Sequence, residues 1–168
     1  MSEESNSLEP DINVVNQLLE NSKKEWNRIY ALPSLKSAET IINTRAQEYT
    51  EGSKSDIKEV EKAMIELEGY SFNIQKEYNM ILAKESDIDD AYSNSMVYYS
   101  LNVEGKTEKE KEKKALASQP VLISLQKIVS FRRKSRMYLE KMCDRIENYV
   151  STLKKSHTRR TGIKVNSD

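Results

Sequence analysis

The densest chemistry in this sequence is Phe131-Arg132-Arg133-Lys134-Ser135-Arg136-Met137-Tyr138, with four cations in five positions and an aromatic residue at each end. Guanidinium and ammonium groups neutralise phosphates and a nearby ring can stack on a base, so the pattern suits single-stranded nucleic acid. Arg132 and Arg136 stand one helical turn apart and share a face. The same run also suits an exposed helical turn, or a patch that pairs with the acidic face of another helix. A second candidate is Tyr98-Tyr99, followed by Gly105-Lys106. Tyr92 and Tyr99 fall on an apolar seam, where rings serve as core, whereas Tyr98 points elsewhere and could offer its face to a base. The nucleic-acid-binding candidates are therefore Tyr98, Tyr99, Lys106, Arg132, Arg133, Lys134 and Arg136.

Little else resembles a reacting centre. His157 is the sole histidine and sits in a polar tail without a nearby Cys or Asp, so no Cys/His or Ser/His/Asp triad can form within one chain. Ligands for the usual zinc sites are lacking, and the four glycines are isolated rather than grouped in a phosphate loop. Glu85, Asp87, Asp89 and Asp90 could in principle hold Mg²⁺, but they project over more than half of a helix circumference. The expectation is a protein that is not an enzyme and uses no metal or cofactor.

Composition narrows the class further. Of 168 residues, 32% are charged and 7% aromatic, and Gly and Pro together number seven, which fits long solvated helices. Formal net charge is zero, but residues 132–164 hold eleven basic and three acidic residues. The chain before position 132 holds 16 basic and 23 acidic residues. Such segregation fits head-to-tail self-association or a basic surface for a polyanion. Cys143 is the only cysteine, so no intrachain disulfide can form and a reducing, intracellular compartment is expected. Met1 to Glu20 carries five acids and no base, the reverse of a signal peptide. The longest apolar run, Val121 to Leu125 with Ser124 inside it, is far too short to cross a bilayer.

These residues must be positioned by helices. From Ser55 to Leu101 the chain has no proline and one glycine, Gly69, and its apolar residues keep a heptad. The seam is Ile57, Val60, Met64, Leu67, Ile74, Tyr78, Ile81, Ile88, Tyr92 and Tyr99, interrupted by Ser71, Glu85 and Ser95. An unbroken helix here would be roughly 65–70 Å long, against about 40 Å for a compact globule of this length. It must kink, most simply near Gly69, or project and pack against other helices or other copies. Apolar spacing predicts a first helix from Pro10 to about Tyr30, ended by Pro33-Ser34. Ser37 can cap a second, with Ala38, Ile41, Ile42, Ala46 and Tyr49 on its buried face. Gly52 breaks it, and Ser53 or Ser55 starts the long helix. Thr107 to Glu110 reads as a capping box. Pro120, with Ser118 as a plausible cap, opens a final helix with a seam of Leu125, Ile128, Leu139, Met142, Ile146, Tyr149 and Leu153. Arg132 and Ser135 stand where apolar residues belong in that seam.

The expected organisation is a disordered terminus at 1–9, a helical hairpin at 10–52 and a long central helix at 53–101. A charged linker at 102–119, a helix at 120–155 and a basic, flexible tail at 156–168 follow. The fold class is all-α: an elongated, coiled-coil-like hairpin or bundle, oligomeric because one chain would struggle to cover its apolar seam.

With Tyr98-Tyr99-Ser100 closing a long helix, a charged Gly-containing linker from Leu101 to Lys114, a Leu/Ile-rich helix from Val121 to Leu153 and a basic end, the chain resembles the phage recombination mediators of the UvsY family. The resemblance covers roughly residues 60–160. It implies a small, helical, homo-oligomeric protein of the host cytoplasm that binds single-stranded DNA. It also implies that such a protein helps load a RecA-like recombinase onto strands coated by single-strand-binding protein. In that family Lys and Arg precede the tyrosine pair and Gly and Arg follow it. Here Ser93, Asn94, Ser95 and Met96 precede and Leu101-Asn102 follow, so the charge must come from Lys106, the 132–136 cluster or the tail. Two other readings stand beside this one: a coiled-coil adaptor or assembly protein that binds an acidic partner, and a small inhibitor of a host protein.

Overall fold

The computed structural model describes residues 10–50 and 56–162, with side chains for all of these except 44–50. Every element among the described residues is a helix: α1 (Ile12–Tyr30), α2 (Pro33–Thr50), α3 (Ile57–Leu101), α4 (Glu108–Ser118) and α5 (Pro120–Thr161). The expectations for 1–9, for the breaks and caps at Gly52, Ser53 and Ser55, for the buried side chains of Ala46 and Tyr49, and for the tail beyond Gly162 lie outside the described residues.

Each helix starts where local chemistry satisfies its first donors. Asp11 caps α1, its carboxylate accepting from the Asn13 amide at 2.8 Å, which leaves Pro10 just outside the helix. Asp56 does the same for α3 through the Lys58 amide at 3.2 Å. α2 begins at Pro33, four residues before the Ser37 cap expected from the sequence. Proline has no amide to leave orphaned at a first helical position and its φ is already helical, so it opens this helix as well as ending the previous one. The Lys36 amide closes the first turn on Leu32 O at 3.2 Å.

The expected linker at 102–119 contains a helix of its own, α4. Thr107 caps it by accepting from the Glu110 amide at 3.2 Å, while the Glu110 carboxylate accepts from the Lys106 amide at 3.1 Å. This is the capping box with its second arm shifted one residue outward. Gly105 lets the turn close: a Cβ there would stand 2.8 Å from Lys111 Cγ and 3.2 Å from the Lys111 amide nitrogen. Gln119 joins α4 to α5, its amide bonded to Ala115 O at 2.9 Å. Ser118 does not cap α5; its hydroxyl donates back to Ala115 O.

α5 runs past the expected end near 155 to Thr161. Residues 156–161 of the expected tail continue the helix: His157 is buried on this stretch, and Gly162 terminates it. Gly162 takes φ +68 and its amide bonds Thr158 O at 2.9 Å. A left-handed glycine after a basic last turn, here Arg159 and Arg160, is an ordinary helix stop.

The chain divides into two compact units, Met1–Asn27 with Ile81–Ser135, and Arg28–Met80 with Arg136–Asp168. In the first, Val15 and Leu19 of α1, Tyr99 of α3, Ala115 of α4 and Val121, Leu122, Leu125 and Ile128 of α5 form the core. In the second, Ile29, Leu35, Ala38, Ile42, Val60, Met64, Leu67, Ile74, Leu139, Met142, Ile146 and Leu153 are buried. At about 1.5–3 kcal/mol for each large aliphatic side chain fully withdrawn from water, these rows are the main stabilising term in each unit. Six members of the α3 seam are buried (Val60, Met64, Leu67, Ile74, Ile81 and Tyr99), and so are two of its three interruptions, Glu85 and Ser95. Ser95 satisfies its hydroxyl on Ala91 O at 2.7 Å. Gly69 does not end α3, which is continuous through it.

Candidate nucleic-acid interface

Four consecutive positions of α5 show how the helix sorts its cations. Residues 121, 125, 128, 132, 135 and 139 share the inward face of a 3.6-residue helix, and all are buried except Arg132, which is nearly so. Arg132 is thus drawn inside by its register. Its side chain is 12% exposed, and its Nη1 lies 3.1 Å from Glu25 Oε2 of α1. Lys84 of α3 reaches the other oxygen of the same carboxylate at 3.0 Å. One acid thereby joins α1, α3 and α5 of the first unit. Ser135, the other expected interruption, is buried. Burying an uncompensated cation costs several kcal/mol, so the Glu25 contact is what makes Arg132 tolerable in the seam.

Arg133 and Lys134 turn outward and are exposed. Neither makes an ion pair among the described residues, nor does Lys127, two turns earlier on the face of Lys134. The Lys134 ammonium sits 6.0 Å from the centroid of the half-buried Phe131 ring, at the outer limit of a cation–π contact. From Pro120 to Leu139 the helix contains five cations and no acid. The outward face of its first turns is therefore a positive strip that no carboxylate of α5 offsets. Lys127 belongs to this strip and sequence reasoning passed over it. Its signals were the seven-residue spacing to Lys134 and the acid-free run around both.

The other expected site residues fare differently. Arg136, in the second unit, is partly exposed and approaches Glu140 at 3.6 Å. Tyr99 is buried in the first unit's core, and Tyr98 is half-buried beside it, with ring centroids 5.1 Å apart in an edge-to-face arrangement. Tyr99 is therefore a core ring and presents no face for a base to stack on; its place on the seam decided this. Tyr99 also borders an open recess of about 490 Å³ lined by Pro10, Asp11, Ile12, Gln119, Pro120 and Val121. Lys106 is exposed in the turn before α4, where its backbone serves the Glu110 cap. The structure thus groups Arg133 and Lys134 with Lys127 and removes Arg132 and Tyr99 to the interior.

The sole histidine is placed by the extension of α5. His157 is buried, and its Nε2 lies 2.9 Å from Glu61 Oε1 of α3. Cys143 is half-buried, and burial, with Asp144 and Glu147 adding to it, pushes its thiol pKa up, away from a reactive thiolate. Among the described residues no three His, Cys, Asp or Glu side chains gather as a metal site, and no helix is long and apolar enough to cross a membrane. Comparison with known protein families, with curated proteins and with solved structures returns no match.

Proposed function

We propose that this protein is a non-enzymatic, oligomeric binding protein of the recombination-mediator kind, which holds single-stranded DNA on the outward face of α5. The observation that carries the reading is the acid-free stretch of α5, on which Lys127, Arg133 and Lys134 stand exposed without an ionic partner among the described residues while Arg132 is neutralised by Glu25. Three such cations contact phosphates weakly, and several copies acting together raise the effective concentration enough to hold a strand. Tyr99 and Arg132 are not part of this surface. Tyr98 is half-buried against Tyr99, and Lys106 stands exposed beside α4. A RecA-like recombinase and single-strand-binding protein are the partners that the resemblance implies. An intracellular location fits a chain whose single thiol is half-buried and unactivated.

The test is a mobility shift or anisotropy titration on single- and double-stranded oligonucleotides across a range of salt. Single-strand binding that weakens steeply with salt supports the reading, and absence of binding at low salt sinks it.

A second reading has its own support. Glu25 on Arg132 is an instance of an α5 cation taking a carboxylate from a neighbouring helix. An adaptor whose outward α5 face takes an acidic helix of another protein would use the same chemistry. It would bind an acidic helical peptide with salt dependence and ignore DNA.

A further inference from the structure

The outer side of α3 within the second unit carries a feature that the first reading does not use. Ile65 and Phe72, seven residues apart on one helix face, are 70% and 74% exposed, and Gly69 lies on that face between them. Nothing among the described residues asks for glycine there. Its φ is not positive, and a Cβ built on it would meet no atom within 4 Å. Glycine in a helix interior is less stable than alanine. Helix α3 therefore carries a local weakness that no contact among the described residues repays, beside two large exposed apolar side chains. A gap in the surface and a ring standing one turn from it form a knob and a hole on one face.

We propose that this face is a docking surface for a second copy of the chain, paired antiparallel so that Phe72 of each copy covers Gly69 of the other. A two-fold axis requires a patch that is complementary to itself, and a knob and a hole on one face supply that. Charge fixes the direction. With Phe72 over Gly69, an antiparallel crossing brings Lys76 beside Ile65 of the second copy, between its Glu61 and Glu68, and Lys62 beside Asn79. A parallel crossing stacks Lys76 on Lys76 and Glu68 on Glu68. Glu61 and Glu68 remain about half exposed although they face His157 and Lys154, so both can accept a further cation. Two rings, two isoleucines and their flanking stems bury less than a standard interface of about 1,600 Å², so the dimer is weak and its mass depends on concentration. The face is distinct from the outward face of α5 and stands whether or not that face binds DNA.

Sedimentation or light scattering from low micromolar to roughly 0.5 mM chain, the range in which so small an interface registers, should show mass rising above 19.4 kDa. F72D should hold the mass at the monomer value with unchanged helicity. G69A is the sharper variant, because alanine favours the helix while filling the hole. Its dimer should be several-fold weaker and its melting temperature no lower. Direction is read by cross-linking in a C143S background. Mixing G69C with F72C should give the mixed disulfide faster than either like-with-like product, since that pairing also keeps one native Phe72–Gly69 contact. A monomeric wild type throughout the range, or association unaffected by both F72D and G69A, overturns the proposal. Like-with-like cross-links in excess overturn the antiparallel pairing.

Discussion

The two halves of α5 are both basic, yet only the back half mixes acids among its cations. Residues 120–135 hold four cations and no acid; one cation, Arg132, is neutralised across the first unit and three face outward. Residues 136–161 hold seven cations and three acids. There several cations meet partners: Arg136 meets Glu140, Arg145 donates to the side-chain Oδ1 of Asn43 on α2, and Lys154 lies 3.2 Å from Glu68 of α3, while Lys141, Lys155 and Arg159 stand exposed with no ion pair among the described residues. Arg28 adds a two-pronged contact with Glu77 at 3.0 and 2.6 Å in the same unit. Net charge by segment therefore misleads. The back half has more cations but sets them among acids of its own and of its neighbours, whereas no acid of α5 offsets the smaller set in the front half.

The largest effect expected from this contrast is on DNA binding. Replacing Lys127, Arg133 and Lys134 together by Ala should lower the salt slope of single-strand binding by about 2, at about 0.7 per lost phosphate contact. Lys154→Ala in the back half should leave the slope unchanged. Equal losses from the two variants would erase the distinction between the halves.

Next comes the internal cation. Glu25→Ala strands Arg132 and should destabilise the chain by about 1–3 kcal/mol, the cost of a buried polar group left without its partner, measured by urea unfolding. Truncating Arg132 as well should recover part of that loss; a fully additive double variant would mean the two residues do not interact.

Gly162→Ala should cost roughly 1 kcal/mol, because its φ of +68 is one that alanine adopts only under strain. Loss of helicity confined to the last turns of α5 would show that this stop holds the buried His157 in place. The smallest effect concerns Cys143. Its raised pKa leaves less thiolate than a free cysteine has at any pH below that value, so alkylation near pH 8 should be slow and should accelerate on unfolding. Rapid labelling of the folded chain would contradict its half-buried position.

How much of this was legible beforehand follows from the range of each interaction. Heptad spacing located α3 and most of its buried residues, since periodicity within one helix needs no knowledge of its neighbours. The Thr107 cap was legible for the same reason. Arg132 was recognised as misplaced in an apolar seam, but its partner is 107 positions away on α1, and no local pattern points to Glu25. His157 was assigned to a loose tail because its neighbours are polar, although Gly162 after two arginines was a readable stop. Pro33 was taken only as an end, although proline opens helices as readily as it closes them. For the candidate site, the cluster was found but its members were treated alike. Successive helical residues differ by about 100° in direction, so adjacent cations had to part company, one inward and two outward.

The segment between α3 and α5 has a consequence for how the chain comes apart. α4 is eleven residues long, shorter than a helix that persists alone in water. Among its residues only Ala115 is fully buried, with Leu116 packed beside it. Its amides should therefore exchange with deuterium well before those of the flanking long helices. Its lysines at 109, 111, 113 and 114 give trypsin an early point of entry. A chain nicked there should keep α3 and α5 associated through the cores they already share, so that the cut appears on a denaturing gel but not in the mass of the native particle.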